Sequence, residues 1–185
     1  MVICDGFKNG EVTYVVDAYV SRGMSDIFNG KLMITSSGRS DSIARARPFL
    51  SAMCEKLYIC EGEVGAGSKV KLVNELLEGI HLVASVEAIS LGTSAGIHPW
   101  ILYDIISHAA GNSWVFKNHV PLLLRSDAKH NFLNAFVQNL GITLDMAKSL
   151  IFPVPMLAVA HQQLMLGSLH VHGDDQATPL VKVCL

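Results

Sequence analysis

The first sixty residues alternate between short apolar runs and polar, glycine-containing breaks. Runs rich in β-branched and aromatic residues predict buried strands at Glu11–Val20, Lys31–Thr35 and Leu57–Cys60. Between the second and third runs, Ser40 or Asp41 is suited to cap a helix that reaches about Met53. This order is typical of the last part of an α/β sheet, and it begins abruptly.

From Ser68 onward the hydrophobic period becomes helical. Apolar residues at spacings of three, four and seven predict a long helix that buries one stripe: Val70, Val73, Leu77, Ile80, Ala84 and Leu91. Further helices are predicted from His98-Pro99 to near Gly111, at Trp114–Leu124, Asn131–Leu150 and Met156–Leu169, and after Pro179. The change of period near Gly62 predicts two domains, residues 1–61 with α/β character and residues 62–185 with helical character.

Composition narrows the possible partners. Half of the residues are hydrophobic and 16% are charged, a surplus that suggests surface covered by missing sequence or by a partner subunit. The net charge of -2, with scattered lysines and arginines, predicts no nucleic-acid surface. The longest apolar stretch contains Pro153 and Pro155 and is too short to span a bilayer. We therefore expect no membrane partner.

Cysteine usage and the amino-terminal residues bear on the compartment. The four cysteines include no CxxC pair, which indicates neither a zinc site nor a redox motif and fits a reducing setting. The first residues lack the basic and apolar regions of a signal peptide. The expectation is a cytoplasmic protein, with an organelle left open.

The densest pattern of functional interest is Gly62–Glu78, GEVGAGSKVKLVNELLE, which follows a predicted strand and enters the long helix. Its glycines are spaced G-x-x-G-x-G, the reverse of the dinucleotide fingerprint, so we do not interpret it as a Rossmann turn. By itself such a turn is most often a tight connection.

Lys71 gives the pattern chemical interest. Asn74, Glu75 and Glu78 follow it at +3, +4 and +7 and share one helical face with it. A lysine, an amide and two carboxylates on one face are suited to bind a polyhydroxy acid and to move protons. The alternative is a solvated face with an i,i+4 lysine–glutamate pair, which stabilises a helix by roughly 0.2–0.5 kcal/mol.

Two motifs resemble those of the β-hydroxyacid dehydrogenases, the superfamily of 3-hydroxyisobutyrate and 6-phosphogluconate dehydrogenases. GEVGAGSKVKLVN is similar to that family's G-x-x-G-x-G-x-x-x-K-x-x-N, and Asp17–Leu32, DAYVSRGMSDIFNGKL, to its D-A-P-V-S-G-G-x-x-G-A-x-x-G-x-L substrate loop. The resemblance implies an α/β remnant, the last strands of a Rossmann-type sheet, followed by an all-α domain like the carboxyl-terminal domain of 6-phosphogluconate dehydrogenase. It also implies that most of the NAD(P)-binding half is absent from the chain.

The resemblance assigns roles to individual residues. Lys71 would be the catalytic lysine, which assists proton removal from a substrate hydroxyl while hydride leaves for the nicotinamide of NAD or NADP. Asn74 would hydrogen-bond the substrate. Ser21, with the backbone around Arg22 and Gly23, would hold the substrate carboxylate, and a hydroxyl with turn amides does make an anion-binding nest.

Several positions depart from the family pattern. Arg22 replaces a glycine, where it would either add a bidentate anion contact or block the usual one, unless it is simply a solvent-facing loop arginine. Glu75 replaces the second asparagine after the lysine. Gln138 replaces a lysine that lies near cofactor and substrate in the family, and Asn139 replaces the next aspartate. Glu78 has the spacing of an acidic residue that acts as general acid in the 6-phosphogluconate branch, which makes Glu75 and Glu78 secondary candidates.

The eight histidines predict no metal site. His170 and His172 are followed by Asp174 and Asp175, but no zinc spacing is present, and a surface loop accounts for them better.

Two functions follow from the sequence. The first is an NAD(P)-dependent enzyme that oxidises a small 3-hydroxy acid of the 3-hydroxyisobutyrate, L-threonate or glycerate type and forms a homodimer through apolar faces. In that case the chain alone is expected to be inactive. The alternative is a non-catalytic dimerisation or metabolite-binding module. The sequence leaves open the acid, NAD versus NADP, and whether the chain is active or a fragment of a larger protein.

Overall fold

The computed structural model describes residues 2–8, 11–21, 32–125 and 130–170. The chain divides into two compact units, Met1–Val73 and Asn74–Leu185. The division lies inside one long helix, so the first turns of that helix belong to the sheet-containing unit. The domain boundary predicted near residue 62 stays a prediction.

The first unit contains a four-stranded sheet in the order β1-β2-β3-β4. The strands are β1 (Val2–Lys8), β2 (Glu11–Ser21), β3 (Met33–Gly38) and β4 (Lys56–Ile59). Strand β2 is antiparallel to both β1 and β3, whereas β3 and β4 are parallel and are connected by helix α1 (Ser40–Met53). Strand β1 was not predicted, because a single short segment around a glycine carries little periodic information.

The predicted cap of α1 was wrong. The helix begins at Ser40, and Arg39 occupies the N-cap position without a side-chain cap hydrogen bond. Asp41 lies in the first turn, where its carboxylate accepts a 2.8 Å hydrogen bond from the Ser42 N–H and a 2.7 Å bond from the Arg39 guanidinium. A carboxylate in the first turn satisfies helix N–H groups as a cap does, so the sequence alone does not separate the two positions.

The strand β2 presents different chemistry on its two faces. Val16 and Ala18 are buried in an apolar cluster with Ile34, Ile43 and Leu50 of β3 and α1. Because successive side chains of a strand point to opposite faces, Asp17 projects from the other side of the sheet, where it is also buried.

The second unit is helical. It contains α2 (Ala66–Ser94) from Asn74 onward, α3 (Pro99–Ser107), α4 (Trp114–Leu124), α5 (His130–Ser149) and α6 (Pro155–His170). His98 and Ser113 cap α3 and α4 by accepting hydrogen bonds from backbone N–H groups. The prediction that α3 ends near Gly111 was wrong, since the His108 N–H already bonds back to Ile105 and Ile106 and closes the helix.

Helix α2 buries a different stripe from the one predicted. Val73, Leu77 and Leu91 are 54%, 50% and 74% exposed. The buried side chains are instead those of Leu82, Val83, Val86 and Ile89, packed among residues of α4, α5 and α6. Both faces of α2 are apolar, so hydrophobic spacing does not select the face that packs. Among the described residues α2 is also the one helix long and apolar enough to cross a membrane, a test that core helices pass too.

Candidate functional site

The first turn of α2 is attached to the sheet through Asp17. One carboxylate oxygen, Oδ2, accepts a 2.7 Å hydrogen bond from the Ser68 N–H, and Oδ1 accepts a 2.8 Å bond from the Ser68 hydroxyl. The Asp17 carbonyl accepts a further bond of 3.1 Å from the Ser36 hydroxyl. A residue from a strand thus caps the helix through Ser68, which lies 51 positions away from it in sequence.

Gly67 permits this close approach of helix and sheet. Its N–H donates to the Ser37 hydroxyl at 2.9 Å. A Cβ atom at this position would lie 3.0 Å from the Thr35 carbonyl oxygen and 3.3 Å from Asp17 Oδ2. The carbonyl belongs to a sheet backbone that cannot move aside easily, so the last glycine of the G-x-x-G-x-G pattern is required by packing.

The other two glycines shape the turn before α2. Gly62 and Gly65 have φ angles of +134° and +104°, a region that L side chains rarely adopt. This agrees with the interpretation of the pattern as a tight connection. The turn does not fit the pyrophosphate of a dinucleotide, because the N–H groups of Gly67 and Ser68 already donate to Ser37 and Asp17.

Ser21 and Lys71 both belong to the first unit. Ser21 lies four residues after Asp17 on β2, so its side chain leaves the same face of the sheet to which α2 is attached. Its hydroxyl donates to the Met33 carbonyl at 3.4 Å, a long bond that the hydroxyl can give up to donate to another acceptor. Lys71 follows Ser68 by about one helical turn and is half-buried. Their assigned roles stay predictions.

Within the second unit, Asn74 is paired with Glu78. The Asn74 side-chain amide donates to Glu78 Oε1 at 2.6 Å. Burial raises the pKa of Glu78 above its ordinary value, while the bond from Asn74 and the nearby charge of His81 oppose that rise. Glu78 is therefore a carboxyl group that holds a proton more readily than an exposed glutamate, as a candidate acid requires.

Glu75 and Asn139, two of the departures from the family pattern, meet in one hydrogen bond. The Asn139 amide of α5 donates to Glu75 Oε1 at 2.8 Å, and the Glu75 side chain is buried. The family pattern has an amide at the first position and an acid at the second, whereas this chain has the acid first and the amide second. Compared with the quoted family pattern, the acid and the amide thus stand at each other's positions.

Other sequence candidates are less informative. Gln138 is exposed on α5, and its predicted contact with a cofactor stays a prediction. Arg22 and Gly23 lie outside the described residues, as do the side chains from His170 to Asp175 and the segment after Pro179. Within the described ranges no three histidine, cysteine or acidic side chains are grouped as a metal site requires.

The attachment of α2 through Asp17 was missed by the sequence analysis. A signal was present, because an aspartate inside the apolar run VVDAYV is rarely buried without a partner. The partner itself, Ser68, was not identifiable from spacing, since it lies in a distant part of the chain.

Comparison with known proteins identifies a matching family model and similar dehydrogenases. A family model described as NAD-binding of NADP-dependent 3-hydroxyisobutyrate dehydrogenase matches residues 65–184. The chain is 39% identical over 170 residues to an L-threonate dehydrogenase of Cupriavidus necator, a match that covers 91% of the chain and 57% of the relative. It is 29% identical to a 3-hydroxyisobutyrate dehydrogenase of Pseudomonas aeruginosa, covering 88% of the chain and 56% of the relative.

The fold is shared as well. A crystal structure of 3-hydroxyisobutyrate dehydrogenase from Salmonella typhimurium matches with a TM-score of 0.79 and 33% identity, over 91% of this chain and 59% of that one. This match confirms the predicted fold class, an α/β part followed by a helical domain. The chain spans little more than half the length of the relatives it matches.

Proposed function

This chain belongs to the family described as NAD-binding of NADP-dependent 3-hydroxyisobutyrate dehydrogenase, and from that premise we propose that it is the substrate-binding and lysine-bearing part of an NAD(P)-dependent dehydrogenase. Its substrate is a small 3-hydroxy acid, of which L-threonate and 3-hydroxyisobutyrate are the first candidates because relatives are named for them. The observation that carries the proposal is the attachment of α2 to the sheet face from which Ser21 projects.

Each residue has a distinct role in this proposal. Lys71 Nζ accepts the proton of the substrate hydroxyl or shares it through a hydrogen bond. Ser21 donates to the substrate carboxylate, and Asn74, three residues after Lys71 on the same helix, bonds a substrate hydroxyl. A bound nicotinamide supplies hydride acceptance. Because the turn before α2 does not fit a pyrophosphate, the nucleotide's phosphates are held by other residues of the full protein.

The test is the replacement Lys71→Ala. We expect NAD(P)H formation from L-threonate or 3-hydroxyisobutyrate to fall by roughly 10²–10⁴-fold, the range for loss of a proton-transfer group. Formation of NAD(P)H is followed for the chain alone and for the chain joined to the nucleotide-binding half of the Cupriavidus necator relative.

Lys69→Ala is the matched control, since Lys69 is an exposed lysine in the same helical turn. It should leave turnover unchanged. If Lys71→Ala reacts at the rate of the unmodified protein, the assignment of the lysine is wrong.

A non-catalytic module is the second candidate. Gln138 carries no charge where the family has a lysine, and Glu75 places a carboxylate where the family has an amide. A chain that binds hydroxy acids in calorimetry but yields no NAD(P)H in either form supports this candidate over the enzyme.

We also propose a homodimer formed through α2. Its exposed apolar side chains recur with the spacing of a coiled-coil seam and comprise Val70, Val73, Leu77 and Leu91. A second copy supplies an identical stripe and buries it. Leu77→Lys should yield a monomer in analytical ultracentrifugation, whereas Phe49→Lys, at an exposed position of α1, should not. A monomeric unmodified chain indicates instead that the rest of a longer protein covers the stripe.

The cellular setting is a further proposal. Cys54 and Cys60 are free thiols, as a reducing cytoplasm permits.

The net charge of -2 supports small anionic metabolites bound by local contacts rather than nucleic acid as partners, and we propose no membrane partner. The link to 6-phosphogluconate dehydrogenases rests on the position of Glu78. Fractionation with a tagged chain tests the location.

A further inference from the structure

We propose that Asp17 is a positioning residue for Lys71, acting through Ser68. This inference rests on the proposed function of Lys71. Asp17 does not touch the substrate in this scheme. It fixes the first turn of α2 on the sheet, and that turn determines where the lysine amine lies relative to the strand that carries Ser21.

The contact between Asp17 and Ser68 consists of two short hydrogen bonds. Both Asp17 carboxylate oxygens are engaged by one residue, Ser68, at 2.7 and 2.8 Å. Hydrogen bonds to an ionised acceptor are shorter and stronger than neutral ones. Two bonds from backbone and side chain of the same residue fix both the translation and the rotation of the helix at that position.

The neighbouring contacts leave little room for the turn to shift. Gly67 donates to Ser37 at 2.9 Å and meets the Thr35 carbonyl with no space for a methyl group at normal distance. The helix therefore lies against β3 and β2 at once, with Asp17 as the charged member of the contact. A negative charge at the helix N-terminus also offsets the macrodipole there.

The position of Lys71 follows from that of Ser68, because both residues belong to the same rigid helix. It lies three residues after Ser68, which places its side chain about one turn along and within 60° of the same helix face. The amine stem is half-buried, whereas Lys69 in the same turn is exposed. A helix start that loosened by one turn would change the surroundings of Lys71 far more than those of Lys69.

The experiment measures this difference in the full chain. Limited acetylation with acetic anhydride followed by peptide mass spectrometry gives the ratio of labelling rates at Lys71 and Lys69. We expect Asp17→Ala to raise that ratio by about tenfold, the factor that corresponds to loss of one charge-assisted hydrogen bond. Asp17→Asn keeps the shape and part of the bonding, so its ratio should return most of the way to the unmodified value.

Leu50→Ala separates positioning from general loss of stability. Leu50 of α1 is fully buried in the same unit but packs on the opposite face of the sheet. It should lower the melting temperature at least as much as Asp17→Ala and leave the ratio unchanged. An unchanged ratio in Asp17→Ala, or an equal rise in Leu50→Ala, overturns the proposal.

A further variant and a catalytic assay complete the test of the positioning role. If Asp17→Ala does not fold, Ser68→Ala provides the comparison, because it removes the hydroxyl bond to Asp17 and keeps the N–H bond. The ratio should then rise by less than tenfold, and an unchanged ratio in Ser68→Ala overturns the positioning role. In the catalytic assay, Asp17→Asn should lower kcat while KM stays within about twofold, because an interaction that orients a reacting group is lost from the transition state. Absent turnover in the unmodified protein refutes the proposed function but leaves the labelling result to decide the position of Lys71.

Discussion

Helix α2 is held by two kinds of contact in the two units. Its first turn is fixed by hydrogen bonds from Ser68 and Gly67 to a buried carboxylate and a serine hydroxyl on the sheet. Its later turns are held mainly by apolar packing around Leu82, Val86 and Ile89. The first arrangement defines a position through bond lengths and angles, whereas the second stabilises the unit but tolerates small displacements.

The difference matches the chemistry proposed for each part. A reacting amine must be held within a fraction of an ångström, so its helix start is built from polar contacts. The helical body carries the bulk of the buried apolar area, as a unit for stability and association does. Four sets of variants test how far this separation extends.

The largest expected effect comes from truncating the two cores. Leu82→Ala in the helical unit and Leu50→Ala in the sheet unit each remove a fully buried leucine and should lower the free energy of unfolding by roughly 2–5 kcal/mol. Chemical denaturation followed by fluorescence and by circular dichroism measures both. If each variant shifts only one of two transitions, the units are independent.

A single transition that both variants shift equally would show instead that the two units unfold together. Ile101→Ala, at an exposed apolar position of α3, is the control and should change little.

The second comparison places a methyl group at each of two helical glycines. Gly67→Ala would put Cβ 3.0 Å from a sheet carbonyl, whereas Gly79→Ala would put it 2.6 Å from the Leu140 methyl, a flexible group in the helical unit. Overpacking costs about 1–3 kcal/mol, and alanine returns about 1 kcal/mol through helix propensity. We therefore expect a net loss for Gly67→Ala.

For Gly79→Ala we expect a loss that is partly relieved by pairing it with Leu140→Ala, because that variant removes the clashing atoms. Thermal denaturation of the two singles and the double measures the relief. If Leu140→Ala does not relieve the loss in stability, the contact between Gly79 and Leu140 is as rigid as the contact between Gly67 and the Thr35 carbonyl.

The third test concerns the hydrogen bond between Glu75 and Asn139 in the helical unit. Asn139→Asp places two carboxylates at 2.8 Å and should lower stability by roughly 1–3 kcal/mol or more. Adding Glu75→Gln supplies an amide of matching length on α2 and should recover most of the loss. Additivity of the two single effects in a double-mutant cycle would contradict a direct exchange of acid and amide.

The smallest effect is a pH dependence at His119 of α4. Burial lowers the pKa of His119 below its ordinary value of 6.5. The unfolded chain therefore binds the proton more readily, so stability is full above 6.5 and is lost as the pH falls through 6.5 towards the folded pKa. His119→Phe keeps an aromatic ring between Trp114 and Phe136 and should flatten this dependence.

Leu123→Ala of α4 provides the control, since it removes a buried side chain without a titratable group and should lower the melting temperature without changing its pH dependence. An unmodified chain whose melting temperature stays constant between pH 7 and the acid transition of its carboxylates would contradict the role of His119.

Local sequence patterns predicted most elements but not all of their contacts. Trp114–Leu124 was predicted with its observed bounds, since Ser113 supplies a cap and the apolar period is regular. The strands of the sheet were found from β-branched runs, apart from β1. The buried stripe of α2 was predicted wrongly because the helix is apolar on more than one face, and only neighbouring helices decide which face is covered.

The candidate site shows the same limit. Lys71 and Asn74 were identified from their spacing along one helix, because the spacing of residues in a helix determines which side chains share a face. Asp17 and Ser68, or Glu75 and Asn139, are pairs between distant segments, and no periodicity links them. Asp17 looked unusual by itself, as a charge in an apolar strand, and Glu75 and Asn139 were departures from a motif, whereas nothing singled out Ser68.

The bond between Asp17 and Ser68 has a consequence for how the sheet is assembled. Strand side chains alternate between faces, so a slip of β2 by one residue against β3 would turn Asp17 towards the apolar cluster. Ser68 would then lose both hydrogen bonds to the Asp17 carboxylate, and the first turn of α2 would lose this attachment to the sheet. The two hydrogen bonds between Asp17 and Ser68 are therefore compatible only with the observed pairing of β2 with β3, so the helix contact and the strand register depend on each other.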